Sequence, residues 1–195
     1  MTRNDVTMLT DLQRLIRLEP LPQNPVGTSL GDADWRDVEA VLGYRLPHDY
    51  KDYIAAYGAG RWADFLGIMS PFYRWRHPQA LDFFDWIRSR LDGLDEIHQT
   101  FPQYAPPFQR HPAPAGLIPI GYTDNGGTIC WKTEGDPESW IVVCLAPKYH
   151  EGYDVIPSNL TRFLAGLLDG KIAPSTFAPD FFPITRPAFA PYTTQ

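Results

Sequence analysis

Between residues 117 and 145, three strand-length apolar runs (117–122, 128–132 and 140–145) are separated only by Asp124-Asn125-Gly126-Gly127 and by Glu134-Gly135-Asp136-Pro137-Glu138. Both separators carry turn chemistry, and turns this short join antiparallel neighbours; a parallel pair needs a crossover of a dozen residues or more. The stretch therefore predicts an antiparallel meander, to which 153–156 adds an edge strand. A parallel, doubly wound sheet is excluded for this part of the chain.

The residues ahead of the meander read as helices. Val6, Leu9, Leu12 and Ile16 recur at helical spacing and predict a helix over 4–18, stopped by Pro20, Pro22 and Pro25. A second helix begins near Asp34, capped by Asp32 or Asp34, with Trp35, Val38, Val41 and Leu42 on one side and Gly43 as its stop. Leu46-Pro47 opens a third, whose apolar face is Tyr50, Tyr53, Ile54 and Tyr57 and which Gly58 and Gly60 end. A short strand is expected over 65–69. Leu81, Phe84, Ile87, Leu91, Leu94 and Ile97 then predict an amphipathic helix over 79–98, with its acidic residues on the opposite, solvated face. Five prolines within 102–116 make that segment a loop.

After the meander, Ser158 is the expected cap of a last helix carrying Leu160, Phe163, Leu164, Leu167 and Leu168, with Gly170 at its end. From Lys171 onward Pro174, Pro179, Pro183, Pro187 and Pro191 alternate with Phe177, Phe181, Phe182, Phe189 and Tyr192. Proline excludes a helix or a central strand there, and the aromatic content argues against simple disorder, so an extended arm lying on the domain is expected. The resulting division is one domain over 1–170, with a helical and proline-rich insertion at about 72–116, followed by the arm at 171–195.

Composition narrows function mainly by exclusion. The formal net charge of −6, with no basic stripe, argues against direct nucleic-acid binding and suits a basic protein partner. No apolar run is long enough to span a bilayer, and MTRNDVTMLTDL is too polar for a signal peptide, so a cytoplasmic protein without membrane contact is expected. Cys130 and Cys144 sit in apolar runs and read as buried small hydrophobes. No GxSxG, phosphate-binding glycine loop or HExxH is present, and the HxE and PCxxC pair of a zinc deaminase is missing. The five histidines (48, 77, 98, 111 and 150) pair with nothing at ligand spacing, and His150-Glu151 reads as ordinary loop surface. No catalytic residue, metal or cofactor is expected.

Two segments together carry a resemblance. The first is Trp35-x-x-Val38-Glu39-x-x-Leu42-Gly43-x-x-Leu46-Pro47-x-x-Tyr50-Lys51-x-Tyr53-Ile54, ending in Tyr57-Gly58-x-Gly60. The second runs from Leu117-Ile118-Pro119-Ile120-Gly121-Tyr122 through Asp124-Asn125-Gly126-Gly127 to Trp131, then Gly135-Asp136-Pro137-x-x-Trp140-x-Val142-Val143 and a closing helix with Phe163-Leu164. In this order and spacing they resemble the SUKH superfamily, named for a fungal cell-wall synthesis regulator and its bacterial relatives. The resemblance implies an α+β fold: a single curved, mainly antiparallel sheet with helices packed on one side, here with an extra helix and the C-terminal arm. It also implies, for bacterial members, an immunity protein that binds and neutralises a cognate secreted toxin domain of nuclease or deaminase type. An intracellular regulatory scaffold docking several partners is the alternative.

On the immunity reading, acidic side chains stand in for the phosphates of the toxin's substrate. The expected partner contacts are Asp124, Asn125, Glu134, Asp136 and Glu138 on the two turns, with Tyr122 and Trp131 as aromatic anchors. Trp131 and Trp140, on adjacent strands, are also candidates for a cross-strand pair. The partner would be a protein toxin encoded nearby, and the chain a monomer.

Overall fold

Both turns within 117–145 do join antiparallel strands. The structure, a computed structural model, describes residues 3–29, 31–75, 80–148, 151–178 and 188–193, and the side chains from residue 11 onward. In chain order its elements are α1 (Arg3–Leu18), α2 (Asp32–Leu42), α3 (His48–Tyr57), β1 (Gly60–Trp62), β2 (Leu66–Ile68), α4 (Phe83–Thr100), β3 (Gly116–Thr123), β4 (Thr128–Thr133), β5 (Ile141–Leu145), β6 (Tyr153–Ile156), α5 (Leu160–Leu168) and β7 (Phe189–Pro191). The sheet order is β6-β5-β4-β3-β2-β1-β7, with every neighbouring pair antiparallel. Six strands thus meander in sequence, and β7 returns to the far edge of an open sheet, giving an α+β fold. Among the described residues no helix is long and apolar enough to cross a membrane.

Strand alternation sorts the side chains onto two faces. Ile118, Trp131 and Val142 lie abreast in register, as do Ile129 and Cys144 on the same face. Against this face pack Tyr50, Tyr53, Ile54 and Tyr57 of α3 and Phe163 and Leu164 of α5, all 1% exposed or less. Helix α1 adds Leu15 and packs on α3 and α5. On the other face Leu117, Cys130, Val143 and Leu145 form a smaller core, closed by Leu94 and Ile97 of α4 and by Phe108. The extra helix therefore covers the side of the sheet that the other helices leave open, and the proline segment beside it opens with a 3-10 turn, Pro102–Tyr104, and runs on as a loop to β3.

Several local expectations are corrected. Gly60 does not end α3 but begins β1. The strand was invisible because its turn to β2 uses Ala63 and Asp64 with φ of 54° and 53°, and Phe65 N–H donates to Trp62 O at 2.9 Å. Two left-handed residues in a row normally announce themselves as Asn-Gly. Gly31, not Asp32 or Asp34, stands at the cap of α2; both aspartates lie in its first turn, where they favour the positive end of the helix. Val41 is 69% exposed and takes no part in the buried stripe of Trp35 and Val38.

Helix α4 starts at Phe83 because Asp82 caps it, accepting Asp85 N–H at 2.9 Å. Leu81 is left outside the helix, and Gln79, the expected start, lies outside the described residues. Asn159 rather than Ser158 caps α5, accepting Arg162 N–H at 2.9 Å. The two candidate cap residues are adjacent, and the one immediately before Leu160 takes the role.

Of the C-terminal segment, Phe177 packs on Phe65 and Phe163, with ring centroids 5.4 and 6.4 Å apart. Phe189 is buried against Tyr57 and Trp62 at 5.2 and 4.9 Å. Pro179, Phe181, Phe182, Pro183 and Pro187 lie outside the described residues, as do His77, His150 and the side chains of Val6 and Leu9.

Candidate functional site

Strand direction places six of the seven expected contact residues in two groups. Asp124 and Asn125, with Tyr122 beside them, form the β3–β4 end of the sheet, whereas Glu134, Asp136 and Glu138 form the β4–β5 turn at the opposite end. The six residues of β4 between the two turns span roughly 17 Å at about 3.4 Å per step. The two turns do not build one compact patch.

At the β4–β5 turn, most of the acidic charge holds the fold. Asp136 Oδ1 accepts Glu138 N–H at 3.1 Å, and its Oδ2 accepts from Arg45 at 2.9 Å. Both Glu138 oxygens lie 3.2 Å from His48 N, and one pairs with the His48 ring. His48 opens α3, whose cap residue is Pro47 and offers no side-chain acceptor, so Glu138 caps the helix from 90 residues away. Glu134 is the most exposed of the three, 73%, and its carboxylate accepts from Lys132 Nζ at 2.9 Å.

Next to this turn, two acids that the periodicity reading passed over fall under Glu138. Burial raises the Asp49 pKa to about 6, while its hydrogen bond from Thr161 N–H, at 3.1 Å, pulls the other way. Asp52 is raised too, first by burial, with His48 opposing and Glu138 adding. Asp49 is 2% exposed and bridges the starts of α3 and α5, a structural position rather than a reactive one.

The β3–β4 end is different in kind. Arg61, Gly67 and Tyr122 lie abreast on the face opposite the main core. The Tyr122 ring lies on Gly67, where a Cβ would come within 2.6 Å of it, so only glycine fits. The Tyr122 hydroxyl meets that of Tyr192 at 2.6 Å. Tyr192 in turn packs on Trp75 and Tyr73, with ring centroids 4.6 and 5.2 Å apart, and Trp86 flanks Tyr122 at 6.4 Å. Tyr73, Trp75, Tyr122 and Tyr192 are half-buried. At their rim Arg61 pairs with the exposed Asp124 and donates to Asp64 O at 2.6 Å. Asn125 Oδ1 accepts from Thr123 Oγ1 at 2.6 Å, which fixes the turn.

This aromatic cluster comes from three segments that only the folded sheet brings together. Tyr73, Trp75, Tyr192 and Arg61 therefore gave no spacing signal.

Trp131 does not belong to either group. It is 1% exposed, with the Tyr50 ring edge-on at 5.1 Å, so as an anchor for a partner it is ruled out by burial. Its register partners are Ile118 and Val142; Trp140 precedes β5 and meets it side by side at 5.8 Å rather than as its opposite number. Burial also pushes the Cys130 and Cys144 thiols well up, which disfavours the nucleophilic thiolate. Among the described residues no group of three His, Cys, Asp or Glu is placed to hold a metal ion.

The open antiparallel sheet, the helix–Gly–Leu-Pro–helix entry and the closing α5 define a SUKH-type α+β protein. Residues 32–164 match the SMI1-KNR4 cell-wall family, SUKH_6, and the chain belongs to that family. The match runs through α4 and the proline segment and leaves α1 and β7 outside. No curated protein and no solved structure matches the chain.

Proposed function

We propose that this protein is a non-enzymatic immunity protein that binds a secreted toxin domain of nuclease or deaminase type and blocks it. Family membership over 32–164 carries the reading. The surface assigned to the partner is the β3–β4 end: a floor of Tyr122, Tyr192, Tyr73 and Trp75, with Arg61, Asp124 and Asn125 at its rim. Large, rigid aromatics that lose little entropy on binding are the side chains that dominate protein interfaces. The net charge of −6 favours approach of a basic toxin. Glu134 remains as a peripheral acidic contact, whereas Asp136 and Glu138 serve the fold.

The aromatic, proline-rich tail suits the scaffold alternative. The described end of that tail is engaged as β7 beside β1, which weakens that support.

Co-expression is the test. Cells carrying the toxin domain encoded beside this gene should survive only when this protein is present, and the two should co-elute on a sizing column. Survival indifferent to its removal, with no complex formed, would defeat the immunity reading.

A further inference from the structure

We infer that the cavity of about 340 Å³ between the end of α2, one face of α4 and the 110–112 segment is a binding site for a small aromatic monocarboxylate, with Arg88 and Arg110 holding its carboxylate. The inference goes beyond the immunity reading and stands without it. Phe84, Ile87, Arg88 and Leu91 recur at three- and four-residue spacing, so α4 presents them as one wall. Tyr44 and His111 also line the cavity, their rings edge-on with centroids 4.9 Å apart. Val41, 69% exposed, joins them at the end of α2. The lining thus carries aromatic and aliphatic surface, two arginines and no acid. The 110–112 segment is pinned in place: Arg110 O accepts Ala113 N–H and His111 N–H donates to Leu117 O, both at 3.1 Å. Thr133 Oγ1 gives its hydrogen to Gly116 O at 2.8 Å, so it accepts from His111 Nδ1–H at 3.1 Å, which fixes the ring. Burial lowers the His111 pKa, so the ring is neutral at pH 7 and the charge of the lining is that of the arginines.

Both arginines keep donors to spare. Arg110 Nη1 donates to Asp92 at 3.2 Å and to Asp95 at 2.7 Å, and Arg88 Nη1 donates to Asp85 at 2.8 Å. Each guanidinium is engaged through that one terminal nitrogen; Nε and Nη2 of both have no hydrogen-bond partner among the described residues. None of the three aspartates lines the cavity. Asp85 and Asp92, 51% and 62% exposed, are screened by water, whereas a carboxylate at a guanidinium fork meets its donors in direct contact. The planar fork matches a carboxylate. Three aspartates nearby disfavour a dianion such as a phosphate monoester, so the site suits a single negative charge. The rings of Tyr44 and Phe84 and the aliphatic wall of α4 suit an aryl group behind that charge. The volume lies in the range of roughly 300–1,000 Å³ typical of small-molecule sites.

The test uses the full chain, labelled for amide NMR and titrated with sodium 3-phenylpropanoate. Saturable shifts are expected at Gly43, Tyr44, Phe84, Arg88 and His111. 3-Phenylpropan-1-ol, which lacks the charge, should bind at least about tenfold more weakly, and acetate, which lacks the ring, should not saturate. Arg110→Gln should weaken phenylpropanoate binding by about tenfold, and the more exposed Arg88→Gln several-fold. Val41→Glu, at an exposed position, adds a negative charge to the lining; it should weaken the carboxylate by about tenfold and leave the alcohol unchanged. Equal binding of acid and alcohol, unchanged affinity in both arginine variants, or no saturable shifts at these residues up to roughly 50 mM would overturn the assignment.

Discussion

Asp49 joins two helix starts while lying 2% exposed, so its charge bears directly on stability. Its pKa of about 6 in the folded protein stands above the ordinary 3.8. Between these values the folded chain holds a proton that the unfolded chain has released, so this group's contribution to stability grows as pH falls through 6 and levels off below 4. The full difference is about 3 kcal/mol. Asp154 and Asp169 act in the opposite sense. Burial raises each, but bonds from Thr176 and Ser175 to Asp154, and from Arg14 and Lys171 to Asp169, outweigh it and hold both below the usual range. Their support is lost only as pH falls below the ordinary carboxylate range. Urea midpoints should therefore rise between pH 7.5 and pH 5, and Asp49→Asn should flatten that rise. Parallel curves for the two proteins would refute the assignment.

Among the elements, the β1–β2 hairpin is the one built against local preference. Ala63 and Asp64 both hold left-handed backbone conformations, which disfavour a residue with a Cβ by roughly 1–2 kcal/mol each. The replacements Ala63→Asn and Asp64→Gly supply the residues this turn prefers and should stabilise the protein by about 1–2 kcal/mol in chemical denaturation.

Strand β7 makes a separate prediction. Removing residues 188–195 strips Phe189 from Tyr57 and Trp62 and opens the edge of β1. A loss of about 2–3 kcal/mol is expected from the buried ring alone. An unchanged melting curve would show that β7 contributes nothing to the fold.

The two strands also mark where sequence patterns stop being informative. The β3–β4–β5 meander was legible because apolar runs alternate with Gly-rich turns. α3 was legible because Tyr50, Tyr53, Ile54 and Tyr57 repeat at helical spacing. β1 was hidden because it is three residues long and its turn lacks Asn and Gly. The pairing of β7 with β1 was hidden because it joins residues more than a hundred positions apart, and no local period encodes such a contact.

At the scale of the whole molecule, the same limit governs the partner surface. Tyr122, Asp124 and Asn125 were legible as turn-end residues, but the aromatic floor beside them exists only once β7 and the segment after β2 reach the sheet. Trp131 looked equally available in sequence, because an alternating strand does not say which of its faces a helix will cover. The two ends of the sheet now make separable predictions in a complex with the toxin domain. Trp75→Ala removes half-buried aromatic surface without touching the main core and should speed dissociation about 30-fold, the scale of an interface hot spot. Asp124→Lys breaks the pair with Arg61 and should slow association, an effect that added salt erodes. Glu138→Lys takes the cap from α3 and should lower the melting temperature, with association little changed at temperatures where the protein stays folded. Surface plasmon resonance at two salt concentrations, read beside thermal melts, separates these outcomes. If Glu138→Lys slows association while Trp75→Ala and Asp124→Lys change neither rate, the partner binds the β4–β5 end instead.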